Sequence, residues 1–384
     1  MDFHIDTLLN FPNATVEQCI QESGDVFLTL RLLNDTVDCP DCGQSSGELH
    51  QSRPVLLRDL SIFGQATHLK IPRRQFYCRP CQRYFTESLP YVDKGRQYTR
   101  RYEEYIYQQV QLTTIEQVSR LEGLTYDRVE GIFNHQYELK KKENWAGVKR
   151  IGIDEVSRRK GHRNFATVVG DLEAGRLLEV IDSHQQLEII EALEQQPIAV
   201  REQIVEVSVD MWGGFPKVVE KVFPNAKLTI DRFHVMQATN KELNKIRRQV
   251  SVFDRGSKFI LLKNGVDLTV DERQTLEQLL QRSKRLRKAY ESKEELRAIY
   301  ESPLTVETGR LHLEQWLNRA QKIYSEVTTT IRKHLDGICN YFRTRTTSGP
   351  MEGINNRIKL IKRQAYGFVN FENFRKRLLA CFSD

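Results

Sequence analysis

Two Cys-x-x-Cys pairs constrain the fold of this chain more than any other feature. Cys39-Pro-Asp-Cys42 and Cys78-Arg-Pro-Cys81 each place two thiols where both can bind one ion. Four thiolates complete a closed tetrahedral site, which predicts one structural Zn²⁺ bound by these four cysteines. The chain between the pairs must turn back, and its apolar stretches at 55–60 and 67–72 predict strands. The alternatives are redox-active thiols, or His50 or His68 as a replacement ligand.

Charge is distributed unevenly along the chain. The net charge is +7, yet residues 1–38 contain seven acids and a single cation, Arg31. The rest is therefore strongly basic, which indicates a polyanionic partner such as double-stranded DNA, with ordinary solubility charge as the alternative. No apolar run is long enough to cross a bilayer, and the acidic N-terminus lacks the features of a signal peptide. We expect a cytoplasmic protein with no membrane partner.

Residues 98–133 have the pattern of a helix-turn-helix. A helix over 98–111 is followed by Thr114 and Gln117, which are spaced like a capping box. Gly123 provides the turn and Thr125 can cap the second helix. The apolar face is predicted to consist of Ile115, Val118, Leu121, Leu124, Val129 and Ile132. Tyr126 and Arg128 would then face outward, where a recognition helix meets the major groove.

From residue 148 the pattern changes to that of an α/β core. We predict strands over 150–156, 164–171 and 176–182, a helix over 185–196, a strand over 204–210, a helix over 213–223 and a strand over 226–231. Three antiparallel strands followed by helix, strand, helix and strand describe an RNase-H-like core. In that topology the first and fourth strands are neighbours, so Asp154 and Asp210 would lie side by side. Carboxylates held on rigid elements can bind two Mg²⁺ ions and promote an in-line displacement at phosphorus.

A third carboxylate, Glu352, opens a C-terminal helix after a long helical region. Residues 233–340 are charged and helical in pattern, and we interpret them as an insertion in the catalytic domain. Pro350 suits the first turn of the next helix, so Glu352 would face the two aspartates. Asp231 competes for the role of second carboxylate because it also ends a strand. Glu155, Asp171 and Asp182 are weaker candidates, and any of these acids can simply cap a helix or form a turn.

The chain resembles the bacterial insertion-sequence transposases of the DDE class, specifically the ISL-three group, over nearly its whole length. The order of a zinc module, a helix-turn-helix and a DDE core is that of the family. The most specific motifs are Gly152-Ile-Asp-Glu155 with Arg159-Lys-Gly-His162, Val209-Asp-Met-Trp212, Asp231-Arg-Phe-His-Val235 and Glu352-Gly-Ile-Asn-Asn-Arg-Ile-Lys359.

The resemblance implies a metal-dependent enzyme that binds terminal inverted repeats of its own element, cleaves DNA and transfers the strand. By position, Asp154, Asp210 and Glu352 match the catalytic triad, which would bind two Mg²⁺ or Mn²⁺ ions, and Asp231 does not. The partners would be the element ends and target DNA, with a homodimer or larger assembly on paired ends. The protein would be bacterial and would associate with the nucleoid when it binds DNA. A DNA-binding regulator with an inactive core and a structure-specific RNase-H-like nuclease are the alternatives.

The expected fold class is multidomain. We predict a β-rich Cys₄ zinc module within residues 1–95, an all-α helix-turn-helix domain over 96–145, and an RNase-H-like catalytic domain over 146–384 with an all-helical insertion at about 240–340. Ten residues are predicted to contact DNA: Arg73, Arg74, Tyr126, Arg128, Arg159, Lys160, Arg357, Lys359, Lys362 and Arg363. His162 and His234 are further candidates for proton transfer or phosphate contact.

Overall fold

The computed structural model describes residues 5–140, 145–157, 165–211, 214–347, 349–365 and 370–382. The chain divides into two compact units, Met1–Lys142 and Glu143–Asp384. Within the described ranges, every helix is too short or too polar to cross a membrane.

The first unit contains seven strands, of which five form one twisted sheet. The sheet order is β1-β2-β6-β5, with β7 paired to β6. The β2–β6 pair is parallel and the other pairs are antiparallel. The strands are β1 (Ala14–Glu22), β2 (Asp25–Leu32), β3 (Val37–Asp38), β4 (Ser45–Ser46), β5 (Leu49–Ile62), β6 (Gln65–Cys78) and β7 (Arg83–Thr86).

Alternation of buried and partly exposed residues explains why these segments form strands. In β2, Val26, Leu28 and Leu30 are buried while the residues between them are not. Their side chains pack with Leu69 and Ile71 of β6 in one apolar cluster. The strands β5 and β6 are longer than predicted, because their backbones keep pairing beyond the apolar stretches, toward the cysteines.

Four helices complete the first unit: α1 (Ile5–Leu9), α2 (Arg100–Leu112), α3 (Ile115–Glu122) and α4 (Tyr126–Lys140). The helix-turn-helix prediction is confirmed. The Thr114 hydroxyl accepts a hydrogen bond from the Gln117 amide, 3.0 Å, and Gly123 ends α3 with a φ of 64°. A residue with positive φ at this place favours glycine. Val129 and Ile132 are fully buried, as predicted.

Leu121 corrects one part of that prediction, since its side chain is 70% exposed. Its neighbour Glu122 turns inward instead, and accepts a hydrogen bond from the Tyr102 hydroxyl, 3.0 Å. The hydrogen bond to Tyr102 on α2 therefore determines that Glu122, and not Leu121, is covered in the last turn of α3.

The buried carboxylate of Asp59 on β5 joins the sheet to α2. Thr99 donates a hydrogen bond to this carboxylate, 2.6 Å, and Arg101 forms an ion pair with it.

The second unit contains a five-stranded sheet of order β10-β9-β8-β11-β12. The first three strands in sequence are antiparallel, and β11 pairs in parallel with both β8 and β12. The predicted adjacency of the first and fourth strands is confirmed, and the RNase-H-like pattern with it. The strands are β8 (Arg150–Ser157), β9 (Phe165–Asp171), β10 (Arg176–Ile181), β11 (Glu206–Val209) and β12 (Lys227–Ile230).

Within the described part of this unit, twelve helices surround and extend the sheet. They are α5 (Gln186–Glu194), α6 (Ile198–Glu202), α7 (Phe215–Val222), α8 (Arg232–Gln249), α9 (Ser257–Leu262), α10 (Val270–Gln281), α11 (Lys284–Glu301), α12 (Val306–Ala320), α13 (Ser325–Lys333), α14 (Leu335–Thr344), α15 (Gly349–Gln364) and α16 (Phe371–Cys381), with a short 3₁₀ turn at Gly265–Asp267. Ile151 and Ile153 pack in the core with Ile189 of α5 and Val218 of α7. The opposite face of the sheet is covered by α15 and α16.

Helices α8 to α14 form the large all-helical region expected between the last strand and Glu352. Trp316 and Tyr324 are fully buried there, and the Trp316 indole donates a hydrogen bond to the Ser292 carbonyl, 2.8 Å. Helix α14 packs against β12, so the helical region and the sheet share one apolar core.

Candidate functional sites

The four cysteines of the two Cys-x-x-Cys pairs meet at one point. Their sulfur atoms all lie within 4.8 Å of one another. The sulfurs of Cys39 and Cys81 are 4.0 Å apart, and those of Cys42 and Cys78 are 3.5 Å apart. Four sulfurs bound tetrahedrally to one zinc ion stand about 3.8 Å apart, so this cluster has the dimensions of a Cys₄ zinc site.

The local environment spreads the pKa values of these thiols. Burial opposes ionisation of Cys39, but hydrogen bonds from the backbone amides of Asp41 and Cys42 outweigh it and lower its pKa to about 7. Hydrogen bonding with Cys42, then burial, raises the pKa of Cys81 to about 12. The histidine alternatives do not join the cluster, since His68 pairs with Asp25 and His50 packs on Tyr84.

Asp93, Glu103 and His135 form a second cluster in the first unit. His135 Nε2 lies 3.0 Å from an Asp93 oxygen, and Glu103 is almost fully buried. Arg96 and Arg100 donate to the two carboxylates, at 2.6 Å and 2.7 Å. Two guanidinium groups already neutralise this cluster, so it is an ion-pair network that holds α2 and α4 together.

The strand register brings Asp154 and Asp210 to one edge of the second sheet. Ile153 pairs with Val209 in the parallel β8–β11 ladder, and the two aspartates are the next residues of their strands. Both side chains are partly exposed, whereas the residues that precede them are buried. Two carboxylates thus leave the core at neighbouring positions, although 56 positions separate them in sequence.

Helix α15 lies across the same part of the sheet. Met351 and Ile354 pack where Gly170 has no side chain; a Cβ there would lie 2.6 Å from Ile354 Cδ1. This close approach allows the Asn355 amide to donate a hydrogen bond to Asp154 Oδ2, 2.7 Å. Glu352 is exposed in the first turn of α15, three positions before Asn355, and so lies on the neighbouring part of the helix surface.

Negative charge is concentrated around these residues. Burial, together with the charges of Asp210 and Asp154, raises the pKa of Glu155, and the charge of His184 partly opposes this. Glu155 Oε1 and Asn355 Oδ1 are buried oxygens without a hydrogen-bond partner among the described residues. A bound hard cation stabilises unpartnered oxygen atoms and crowded carboxylates of this kind.

Glu352 does not close a three-carboxylate cluster. The ligand oxygens of Asp154, Asp210 and Glu352 do not all lie within 4.8 Å of one another. Asp231 has a structural role, because its carboxylate caps α8 by accepting from the Phe233 amide, 3.0 Å, and is only 2% exposed.

The histidines near the sheet edge occupy different environments. His234 Nε2 lies 4.0 Å from Asp231 Oδ2. His334, which the sequence interpretation missed, is close enough to Asp210 to sense its charge, but burial and Lys333 lower its pKa. His162 lies outside the described residues.

The residues predicted to contact DNA divide into three groups. Arg73, Tyr126, Arg128, Lys359 and Arg363 are exposed. Arg159 and Lys160 lie outside the described residues. The remaining three have internal partners, which are Glu87 for Arg74, the Ser157 carbonyl for Lys362 and the Cys381 carbonyl for Arg357. For these three, DNA contact stays a prediction, and the structure adds an internal role.

Asn355 is the main residue of this site that the sequence interpretation missed. Its spacing from Glu352, three positions along a helix, was a signal that could have identified it. Asparagine is common on helix surfaces, however, so spacing alone does not separate it from the exposed Asn356.

Comparison with known proteins matches the zinc module, the helix-turn-helix and the second unit to sequence families. Residues 151–378 match a sequence family described as transposase, of the ISL3 type with a DDE core. Residues 87–137 match the helix-turn-helix domain of transposase family ISL3, and residues 35–81 match the zinc-finger of transposase IS204/IS1001/IS1096/IS1165.

Two similar proteins extend this comparison, one over most of the chain and the other over 60% of it. The transposase for insertion sequence element IS1001 of Bordetella parapertussis is 28% identical over 363 residues, which are 90% of this chain and 88% of that protein. The transposase for insertion sequence element IS1557 of Mycobacterium tuberculosis is 28% identical over 267 residues, 60% of this chain and 59% of that protein.

Proposed function

The chain belongs to the ISL3 family of transposases, and on this premise we propose that it cleaves DNA at the terminal inverted repeats of an insertion sequence and transfers the freed strand to target DNA. The observation that carries the proposal is the adjacency of Asp154 and Asp210, together with the contact between Asp154 and α15. Carboxylates at neighbouring positions of adjacent strands, one of them held by a helix from a distant part of the sequence, suit chemistry at a phosphodiester.

Asp154, Asp210 and Glu352 would hold the catalytic metal ions. Their oxygen atoms suit Mg²⁺ or Mn²⁺, and the unpartnered oxygens of Glu155 and Asn355 support a cation at this edge. Two such ions would supply charge neutralisation for an in-line displacement at phosphorus. The four clustered thiols of the first unit would hold one structural Zn²⁺.

The protein's own groups would position and stabilise the reacting strands. Asn355 holds one oxygen of Asp154, so the other oxygen keeps a defined direction. The exposed cations Lys359 and Arg363 lie further along α15, where they can contact phosphates on either side of the scissile bond. Water would attack the phosphodiester at the element end and release the 3′-hydroxyl of the element strand. That hydroxyl would then attack a phosphodiester of target DNA, join the two strands and release a target 3′-hydroxyl.

The first unit would select the DNA. Tyr126 and Arg128 are exposed in the first turn of α4, the second helix of the helix-turn-helix, where base edges can be contacted. Synapsis of two element ends would require at least two copies of the chain, so we propose a homodimer or larger assembly on paired ends.

A cleavage and strand-transfer assay on DNA carrying an element end tests this proposal. Wild-type protein with Mg²⁺ or Mn²⁺ should nick the end and join it to target DNA. Asp154→Asn and Asp210→Asn should each lower cleavage about a thousandfold or more, because a bound metal contributes several kcal/mol of transition-state stabilisation. Both variants should still bind the end DNA.

Three outcomes would contradict the proposal. Binding without cleavage by wild-type protein would indicate a regulator, and cleavage without joining would indicate a nuclease. Near-normal cleavage by Asp210→Asn, with inactive but folded Asp231→Asn protein, would transfer the second carboxylate role to Asp231.

A further inference from the structure

A group of exposed cations lies at the end of the helical region far from the carboxylates. We call it the distal basic patch and define it by five residues: Arg248, Arg255, Lys284, Arg285 and Lys288. None of the five side chains forms an ion pair or hydrogen bond within the parts of the chain that the structure describes.

Two contacts, one backbone hydrogen bond and one ion pair, bring Arg248, Arg255 and the start of α11 together. The chain after α8 folds over the end of that helix, where the Ser251 amide donates to the Arg248 carbonyl, 3.1 Å. Arg282, which precedes α11, donates to Asp254, 2.6 Å. The loop that carries Arg255 is thereby held beside the start of α11.

The first two turns of α11 then place three cations together. Lys288 follows Arg285 by three positions and Lys284 by four, so its side chain neighbours both of them on the helix surface. That first turn contains no acid, whereas the first turns of α10 and α12 do. Two of the nearby acids pair with other arginines, Asp254 with Arg282 and Glu277 with Arg287.

Exposed aromatic rings accompany the cations. Phe253 is 67% exposed and Phe259 is 64% exposed, on the loop and helix next to Arg255. A surface that combines unpaired cations with open aromatic rings fits a nucleic acid, whose phosphates meet the cations and whose sugars and bases meet the rings.

Helix α8 sets the distance between this patch and the candidate active site. The helix begins after Asp231, whose amide donates to the Val209 carbonyl, 3.1 Å, at the edge where Asp210 lies. Its 18 residues span about 27 Å. A duplex that follows α8 outward would reach the patch about eight base pairs from the carboxylates.

We propose that the distal basic patch binds the phosphate backbone of duplex DNA that extends past the candidate active site. The proposal rests on the proposed function, since it assumes that DNA occupies the sheet edge. The helical region would thus contact DNA through this patch, independently of base sequence and in addition to the contact made by the helix-turn-helix.

The test compares two full-length triple variants that remove the same charge. Lys284→Gln/Arg285→Gln/Lys288→Gln changes the patch. Lys217→Gln/Lys221→Gln/Lys227→Gln is the matched control, because these lysines are also exposed but lie on α7 and at the start of β12. Each protein is titrated, over a range of salt concentrations, with a long duplex that extends at least about one helical turn on both sides of the cleavage site. The other probes are the same duplex trimmed to about four base pairs a side and the corresponding single strand.

On the long duplex, the patch variant should bind more weakly than the wild type. The slope of log K against log salt concentration should be smaller in magnitude by about three. On the trimmed duplex it should bind as the wild type does, and the control should match the wild type's slope on the long duplex. Equal slopes for the patch variant and the wild type would overturn the proposal, as would an equal loss in the control. A loss confined to the single strand would overturn the assignment to duplex DNA.

Two further measurements keep the outcome interpretable. If the triple variant unfolds, the single exposed substitution Arg285→Glu replaces it in the test. This variant should also weaken binding to the long duplex. Cleavage of the long duplex is measured in parallel, because failure of the wild-type protein to cleave it would refute the proposed chemistry and leave the binding comparison valid.

Discussion

The side-chain amide of Asn355 donates a hydrogen bond to Asp154 Oδ2 at 2.7 Å, between residues 201 positions apart. Asn355 is 7% exposed and its own Oδ1 has no partner among the described residues. This contact orients the carboxylate that begins the proposed triad.

Replacing Asn355 should therefore weaken metal binding without unfolding the protein. Residues that orient metal ligands typically contribute tenfold to hundredfold in affinity or activity, so Asn355→Ala should raise the Kd for Mn²⁺ and lower cleavage by about that factor. Titration calorimetry with Mn²⁺ measures the first effect. Asn356→Ala, on the exposed side of the same helix, is the control. If the folded Asn355→Ala variant binds Mn²⁺ as tightly as the wild type does, Asn355 does not position a metal ligand.

Packing of α15 on the sheet depends on the missing side chain at Gly170. Gly170→Ala places a methyl group against Ile354 and Met351, and should destabilise the second unit by about 1–3 kcal/mol through overpacking. Gly353→Ala on α15 has open space around its new Cβ and should stabilise by up to about 1 kcal/mol. Differential scanning calorimetry compares the two. Equal Tm values would mean that α15 moves without cost.

Zinc should be required for the fold of the first unit. Metal analysis should find about one tightly bound Zn²⁺ per chain. Cys78→Ser should lose the metal and specific binding to end DNA, since small metal modules fold on their metal. Cys19→Ser, at an exposed cysteine outside the cluster, should retain both. Four freely titratable cluster thiols in native, metal-free protein would refute the site.

We expect the first unit to recognise bases and the second unit to contact the DNA backbone. Arg128→Ala should cost about 1–3 kcal/mol on the element end and relax sequence preference. Lys359→Ala should weaken binding to all duplexes about equally and reduce the salt slope by about one. Competition between end DNA and random duplex distinguishes the effects, and unchanged preference in Arg128→Ala would place recognition elsewhere.

The Asp93 network should make the first unit sensitive to acid. Burial opposes ionisation of Asp93, but hydrogen bonds from His135 and Arg100 outweigh it and lower its pKa below the ordinary 3.8. A lowered carboxyl pKa stabilises the fold above the ordinary value, and this contribution is lost as the pH falls through the lowered one. Asp93→Asn should thus reduce stability by about 1 kcal/mol at pH 7.

Thermal unfolding of Asp93→Asn and wild type at several pH values checks this. The difference in Tm should shrink toward acidic pH, while Asp127→Asn, at an exposed aspartate of α4, should show a smaller change. A difference that grows in acid would contradict the assigned sign.

Local patterns in the sequence determined much of this protein. The cysteine spacing indicated the metal cluster, the caps at Thr114 and Gly123 indicated the helix-turn-helix, and the strand order implied that Asp154 and Asp210 are neighbours. These features depend on residues close in sequence or on a topology that connection lengths restrict, so periodicity and spacing are sufficient to read them.

Tertiary packing alone decided the remainder. Leu121 is exposed because Glu122 found a partner on α2, and Lys362 is held by the Ser157 carbonyl from a distant strand. Asn355 reaches Asp154 at a place where Gly152 and Gly170, which have no side chains, leave room for α15. Each outcome depends on which side chains meet across long sequence separations, and a charged or polar residue has the same local pattern whether its partner is water, DNA or the protein itself.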